Sequence, residues 1–138
     1  MMIILRMNKR GAALVEFAIV AVLLITLAIG IIDFGLLAKD RLALGSAARD
    51  GARAASVGRS AADITQVVKS SAPELNGINV LCYYREQGGD WQVYADKIPD
   101  TVPSSGVQVK VVVNCTRAPG TMFGTDSTLS AEMIMERE

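Results

Sequence analysis

The chain has 138 residues, 51% of them hydrophobic, with 14 Lys+Arg balanced by 14 Asp+Glu and no His. Without His there is no Ser-His-Asp triad, no Cys-His dyad and no His-containing zinc site, and two Cys exclude a four-thiolate metal site. The length suits one small domain plus an appended element, and zero formal net charge gives no global attraction to nucleic acid.

Arg6, Lys9 and Arg10 precede a long apolar stretch. Residues 17–32 carry no charge, and widening the window to 12–38 admits only Glu16 and Asp33. A membrane-spanning helix needs about 20 mostly apolar residues, which predicts a span over residues 14–37. Positive charge ahead of it places the N-terminus in the cytoplasm and the remainder of the chain outside. A cleavable secretory signal competes, but it wants a shorter apolar core followed by small residues. Here the core is followed by Asp33-Phe34-Gly35-Leu36-Leu37. Met7 is an alternative start that shortens the leader.

Residues 39–58 continue in helical register without a Pro. Ala43, Ala47, Gly51 and Ala55 recur every four residues, with Ala48 and Ala52 beside them. Small side chains at that spacing let another helix or a sheet approach the backbone closely. Gly30, Gly35, Gly45 and Gly51 each weaken a helix by about 1 kcal/mol relative to Ala, so packing must compensate or the helix bends. Lys39, Arg41, Arg49, Arg53 and Arg59 make this stem basic, a charge suited to anionic lipid head groups.

From Ser60 the pattern is that of a small water-soluble domain. Residues 61–72 predict a short helix with Ile64, Val67 and Val68 on one face and Pro73 past its end. Four segments of period-two alternation follow. Ile78, Val80, Cys82 and Tyr84 share one face. Gln87-Gly88-Gly89-Asp90 is a hairpin turn, since Gly supplies the positive φ such turns need. Trp91, Val93 and Ala95 continue the apolar parity. Val107, Val109, Val111, Val113 and Cys115 form a third set, and Leu129, Ala131, Met133 and Met135 a fourth. Antiparallel strands with one face wet and the other covered by a helix fit this pattern. The connection 96–106, with Pro99 and Pro103, is expected to be exposed.

Cys82 and Cys115 both fall in the inward parity, and outside the cytoplasm two such Cys are usually paired. A bridge closing a loop of roughly 33 residues adds about 3–4 kcal/mol in the chain-entropy account. The alternative is two buried thiols that only pack. A redox role would show closer C-x-x-C spacing.

The junction Arg10-Gly11-Ala12-Ala13-Leu14-Val15-Glu16-Phe17 sets one carboxylate in otherwise apolar sequence. Such a carboxylate is costly in a bilayer and is usually functional or partnered. The junction resembles the type IV pilin class. With GIIDFGLL (residues 30–37) and SAARDGARAASVG (residues 46–58), the stretch from Gly11 to Gly58 resembles, more narrowly, the TadE-like family of the tight-adherence (Flp) pilus system. The resemblance implies removal of a basic leader by a prepilin peptidase between Gly11 and Ala12. Glu16 then becomes the fifth mature residue and assists assembly, in many accounts by neutralising the new terminal amine. Major Flp pilins typically carry Glu-Tyr there, so Glu16-Phe17 implies a minor pilin or pseudopilin. Implied partners are other pilins or pseudopilins, the prepilin peptidase and the inner-membrane assembly platform, besides membrane lipid. No cofactor and no direct nucleic-acid contact is implied. The implied location is a bacterial inner membrane, single-pass, with the C-terminal domain periplasmic or extracellular.

Sharper signals carry less. Asp33-Phe34-Gly35 spells a kinase motif without a catalytic loop or phosphate-binding Lys, and Asp33 suits the membrane interface or a pair with Lys39 or a neighbour's Arg. Asp96 and Asp100 lack calcium-loop spacing. Trp91, Tyr83, Tyr84 and Tyr94 are explained by core and cross-strand packing before any adhesive patch. The expectation is therefore an α+β, pilin-like chain: a basic leader (residues 1–11), a long membrane-spanning helix and stem (12–58), and an extracytoplasmic domain (59–138) of one short helix and a 3–4-stranded antiparallel sheet. It is expected to be a structural assembly subunit rather than an enzyme; the alternative is an unprocessed, membrane-anchored binding or adaptor domain.

Overall fold

The computed structural model describes residues 9–93, 96–99, 102, 106–117 and 127–137. Expectations for Arg6, Met7, Tyr94, Ala95, Asp100 and Pro103 lie outside them. Helix α1 (Lys9–Ser56) runs unbroken for 48 residues, about 72 Å at about 1.5 Å per residue. The apolar window within it has a mean hydropathy of 2.8 with none of it buried. By length and composition this half of α1 is a candidate membrane span.

Sequence chemistry ends α1 sharply. Gly58 takes φ +79°, a conformation open to Gly at no steric cost. The Gly58 N–H donates to the Ala55 carbonyl at 2.9 Å and the Arg59 N–H to the Ala54 carbonyl at 3.2 Å, the paired bonds of a Schellman motif. Helix α2 (Ala61–Ser71) starts immediately afterwards. The Ser60 Oγ accepts from the Asp63 N–H and donates to the Asp63 carboxylate, satisfying one open donor of the first turn. Ile64 and Val68 form the buried face of α2.

Strands β1 (Asn79–Arg85), β2 (Gln92–Val93), β3 (Gln108–Arg117) and β4 (Ser127–Glu136) make one antiparallel sheet in the order β2-β1-β3-β4. Val109, Val111 and Val113 are fully buried, with Cys115, Cys82 and Tyr84 beside them. Leu44, Ala47, Ala48, Ala52 and Ala55 of α1 and Ile64 and Val68 of α2 close the core from the other side. Asp40 acts electrostatically on Cys115, Gly51 sits against Val111, and Gly58 lies near Arg137, whose N–H pairs with the Val107 carbonyl. The C-terminal half of α1 therefore runs antiparallel along β3.

Three expectations are corrected. Val93 is 63% exposed: the β1–β2 register sets it opposite Tyr83 on the outer face, while Gln92 faces Tyr84 and accepts its hydroxyl proton at 2.7 Å. The connection 96–106 is not wholly exposed, because Ile98 and Val102 are buried among the core residues and the Asp96 carbonyl accepts from the Ala61 N–H. Its two apolar side chains gain more by leaving water than the loop loses in conformational freedom by being held down.

The third correction concerns Cys82 and Cys115, which are buried but not bridged to each other. In the register, Cys82 faces Val111, so Cys115 lies four residues farther along β3. At about 3.3 Å per residue that is an offset of about 13 Å, far beyond the roughly 4.4–6.8 Å between Cα atoms that a disulfide spans. Equal parity brought both to the same face, whereas pairing also requires equal height. Burial first, and then the Asp40 carboxylate, push the Cys115 thiol above its ordinary pKa, which keeps it protonated and poorly nucleophilic. A reducing agent is expected to leave the thermal midpoint within about 2 °C, compared with the more than 8 °C that loss of about 3 kcal/mol gives in a domain of this size. A large drop on reduction, read by circular dichroism, would restore the bridge.

Candidate functional site

The sequence-marked residues divide between two halves of α1. Gly11, Ala12, Glu16 and Phe17 are all exposed at its N-terminal end. Glu16 lies four residues beyond Ala12, so the two share a helix face about one turn apart. From Leu14 to Leu36 the large apolar side chains project outward, Phe17 at 71% exposure among them. This is a surface suited to lipid or to other apolar helices.

The small-residue ladder has a different seat. Ala47 and Ala55 are fully buried, Gly51 is buried and Ala43 half-buried. They face α2 and the sheet of the same chain. A Cβ on Gly51 would come within 2.7 Å of Val68 Cγ2 and 3.3 Å of Val111 Cγ1. The ladder is where this chain's own domain clamps onto its helix. Gly30, Gly35 and Gly45, by contrast, have open space around them.

At the base of the stem Lys39 pairs with Glu74, an exposed ion pair that holds the Lys39 ammonium above its ordinary pKa through the hydrogen bond to Glu74. Lys39 is thus taken up by the α2–β1 connection, and Asp33 stands half-buried one and a half turns earlier. Among the described residues, no group of three or more Cys, Asp or Glu is placed to hold a metal ion.

Sequence reasoning missed the cations stacked on the outer-face rings. Tyr83 is paired across strands, opposite Val93 and Lys110, and Trp91 joins it instead of continuing the inward set. They lie on the outer face with Lys110 5.0 Å from the Tyr83 ring centroid, and Arg85 and Lys110 4.5 and 4.6 Å from that of Trp91. The available signal was parity: Tyr83, Arg85 and Lys110 all alternate against the buried residues of their strands.

A candidate membrane helix that continues into a clamped stem under a four-stranded antiparallel sheet defines an α+β chain with a candidate membrane span. Within it, residues 11–53 match the model of the TadE-like protein family. The match lies wholly within α1 and is consistent with a TadE-like pilin of the tight-adherence system, a structural rather than an enzymatic family. It suggests a protein related to that pilus. No curated protein and no solved structure matches the chain.

Proposed function

We propose that the chain is a minor pilin or pseudopilin that is cut between Gly11 and Ala12 and assembles through its N-terminal helix into, or primes, a tight-adherence pilus. The observation that carries this reading is the division of α1. Its distal half is locked to the domain through Gly51 and the flanking Ala residues, while its proximal half, within the TadE-like match, is bare and apolar. A rigid rod with a free apolar end transmits insertion among neighbouring helices directly to the domain it carries.

Glu16 supports the same reading. It is the only carboxylate between Gly11 and Asp33, and cleavage after Gly11 would create an ammonium four residues away on the same face. Pairing lowers the cost of keeping either charge in an apolar environment. The Glu16 carboxylate guides docking, either onto its own amine or onto that of a neighbour. The prepilin peptidase, the other pilins or pseudopilins and the assembly platform are its partners on this reading. The N-terminus is cytoplasmic and the domain lies on the outer side of the inner membrane.

The test is the mature N-terminus, read by mass spectrometry on chain recovered from membranes and from sheared surface material. A first residue of Ala12 is expected in both. A chain still beginning before Gly11 would sink the processed-pilin reading and favour a signal-anchored adaptor domain.

A further inference from the structure

The helices take the inner face of the sheet, and the outer face has an internal symmetry. One row across it reads Val93, Tyr83, Lys110, Ile134 from β2 to β4: apolar, ring, cation, apolar. The next row towards the membrane end reads Leu81, Val112, Glu132. The row on the other side reads Arg85, Gln108, Glu136, with Trp91 against Arg85 at the β2 edge. Val93 and Ile134 are 63% and 46% exposed, so the central row presents apolar side chains at both edges and a cation–ring pair in the middle.

We propose that this face binds a second copy of the same chain, sheet on sheet, about a twofold axis parallel to the strands. Such a rotation reverses each row while keeping its height. Val93 meets Ile134 of the second copy, and Tyr83 meets Lys110 of the second copy. Leu81 meets Val112 of the second copy, and Arg85 meets Gln108 of the second copy. Glu136 of the second copy comes to the Trp91 edge, where Arg85 supplies a countercharge. The four central side chains then alternate ring and cation, so each Lys110 has a ring on either side. No like charges are set opposite one another in the three rows. Two aligned sheets packed in this way lie about 10 Å apart.

The anchor selects the same axis. The C-terminal half of α1 runs along β3, so a twofold parallel to the strands leaves both N-terminal helices pointing the same way, into one membrane. A twofold perpendicular to the strands would send them in opposite directions. With one helix on the far side of each sheet, the two spans stand about 30 Å apart, so each keeps its apolar surface for lipid or other pilins. The face measures about 15 Å by 20 Å, so pairing covers only about 600 Å² over both copies, below the size of stable specific interfaces, and the contact is a weak one. Association is therefore expected where both copies share a membrane and their effective concentration is high.

The experiment uses the full chain in native membranes, co-expressing one tagged form carrying Val93→Cys with a differently tagged form carrying Ile134→Cys. Both sites are exposed, so neither change burdens the core, and Cys82 and Cys115 are only 3% and 2% exposed. A short bis-maleimide, which bridges the roughly 10 Å between facing sheets, is expected to join the two tags, while either variant alone remains monomeric, because like positions lie on opposite edges. Adding Lys110→Glu to both forms is expected to cut the yield about tenfold through loss of the two cation–ring contacts. Absence of the mixed product, equal self-linking of Val93→Cys, or cross-linking only to a different protein would each overturn the second-copy assignment. The proposal requires α1 to be an anchor and is indifferent to cleavage after Gly11. An uncut chain would remove the function proposed above and leave this cross-link unchanged.

Discussion

Gly51→Leu is expected to abolish the folded domain, and Gly51→Ala to weaken it by about 1–3 kcal/mol. The side chain would be driven between Val68 and Val111, whose methyl groups stand 2.7 and 3.3 Å from an ideal Cβ, with Ile64 at 3.6 Å. All three neighbours are fully buried and branched at Cβ, so few rotamers are open to relieve the contact. A larger side chain must therefore separate α1 from both α2 and β3, and the domain has only about 5–15 kcal/mol of stability to lose. Gly45→Ala is the matched control. Its Cβ meets nothing within 4 Å, so only helix propensity changes, and a gain of about 1 kcal/mol is expected. Urea unfolding followed by the fluorescence of Trp91 separates the two. Equal midpoints for the two alanine variants would show that α1 does not rest on α2 and β3 as described.

Glu16→Ala is expected to leave the chain inserted in the membrane while cutting its recovery from sheared surface material about a hundredfold. Removing a partner from a buried pair costs about 3 kcal/mol or more, and 1.4 kcal/mol is a factor of about ten. Insertion itself should improve slightly, since the change removes one of two carboxylates from residues 12–38. Glu16→Gln separates charge from shape. It keeps the length and hydrogen-bonding capacity of Glu but cannot neutralise an ammonium, so it should assemble as poorly as Glu16→Ala. Normal assembly by Glu16→Gln would remove charge pairing from the mechanism. Because Glu16 lies far from the clamped half of α1, neither change should move the unfolding midpoint of the domain.

The contrast between the two sites explains what was legible. Gly51 was visible in the sequence as part of a ladder permitting close approach, but the ladder did not say what approaches. The structure assigns that place to this chain's own α2 and β3. The inward parity of β1, β3 and β4 was also legible, because alternation at period two is a property of each strand by itself. The failures at Val93 and at Cys82 with Cys115 share one cause. Facing and height belong to pairs of strands, and the register between them is fixed by turns and core contacts from distant parts of the chain. Ile98 and Val102 failed differently: two prolines within residues 96–106 marked a loop correctly, but a loop is buried or exposed according to the gap it finds.

The sequence by itself determined the long apolar helix, the lone carboxylate after Gly11, the short second helix ahead of Pro73, and the inner face of each longer strand. These follow from local periodicity, hydropathy and capping chemistry, which act over one or two turns. Only the tertiary structure decided the order β2-β1-β3-β4, the separation of the two cysteines, the burial of Gly51 against Val68, and the aromatic and cationic rows on the outer face. Each of these depends on which segments meet across long stretches of chain, and many registers satisfy the same local pattern until the whole core is packed at once.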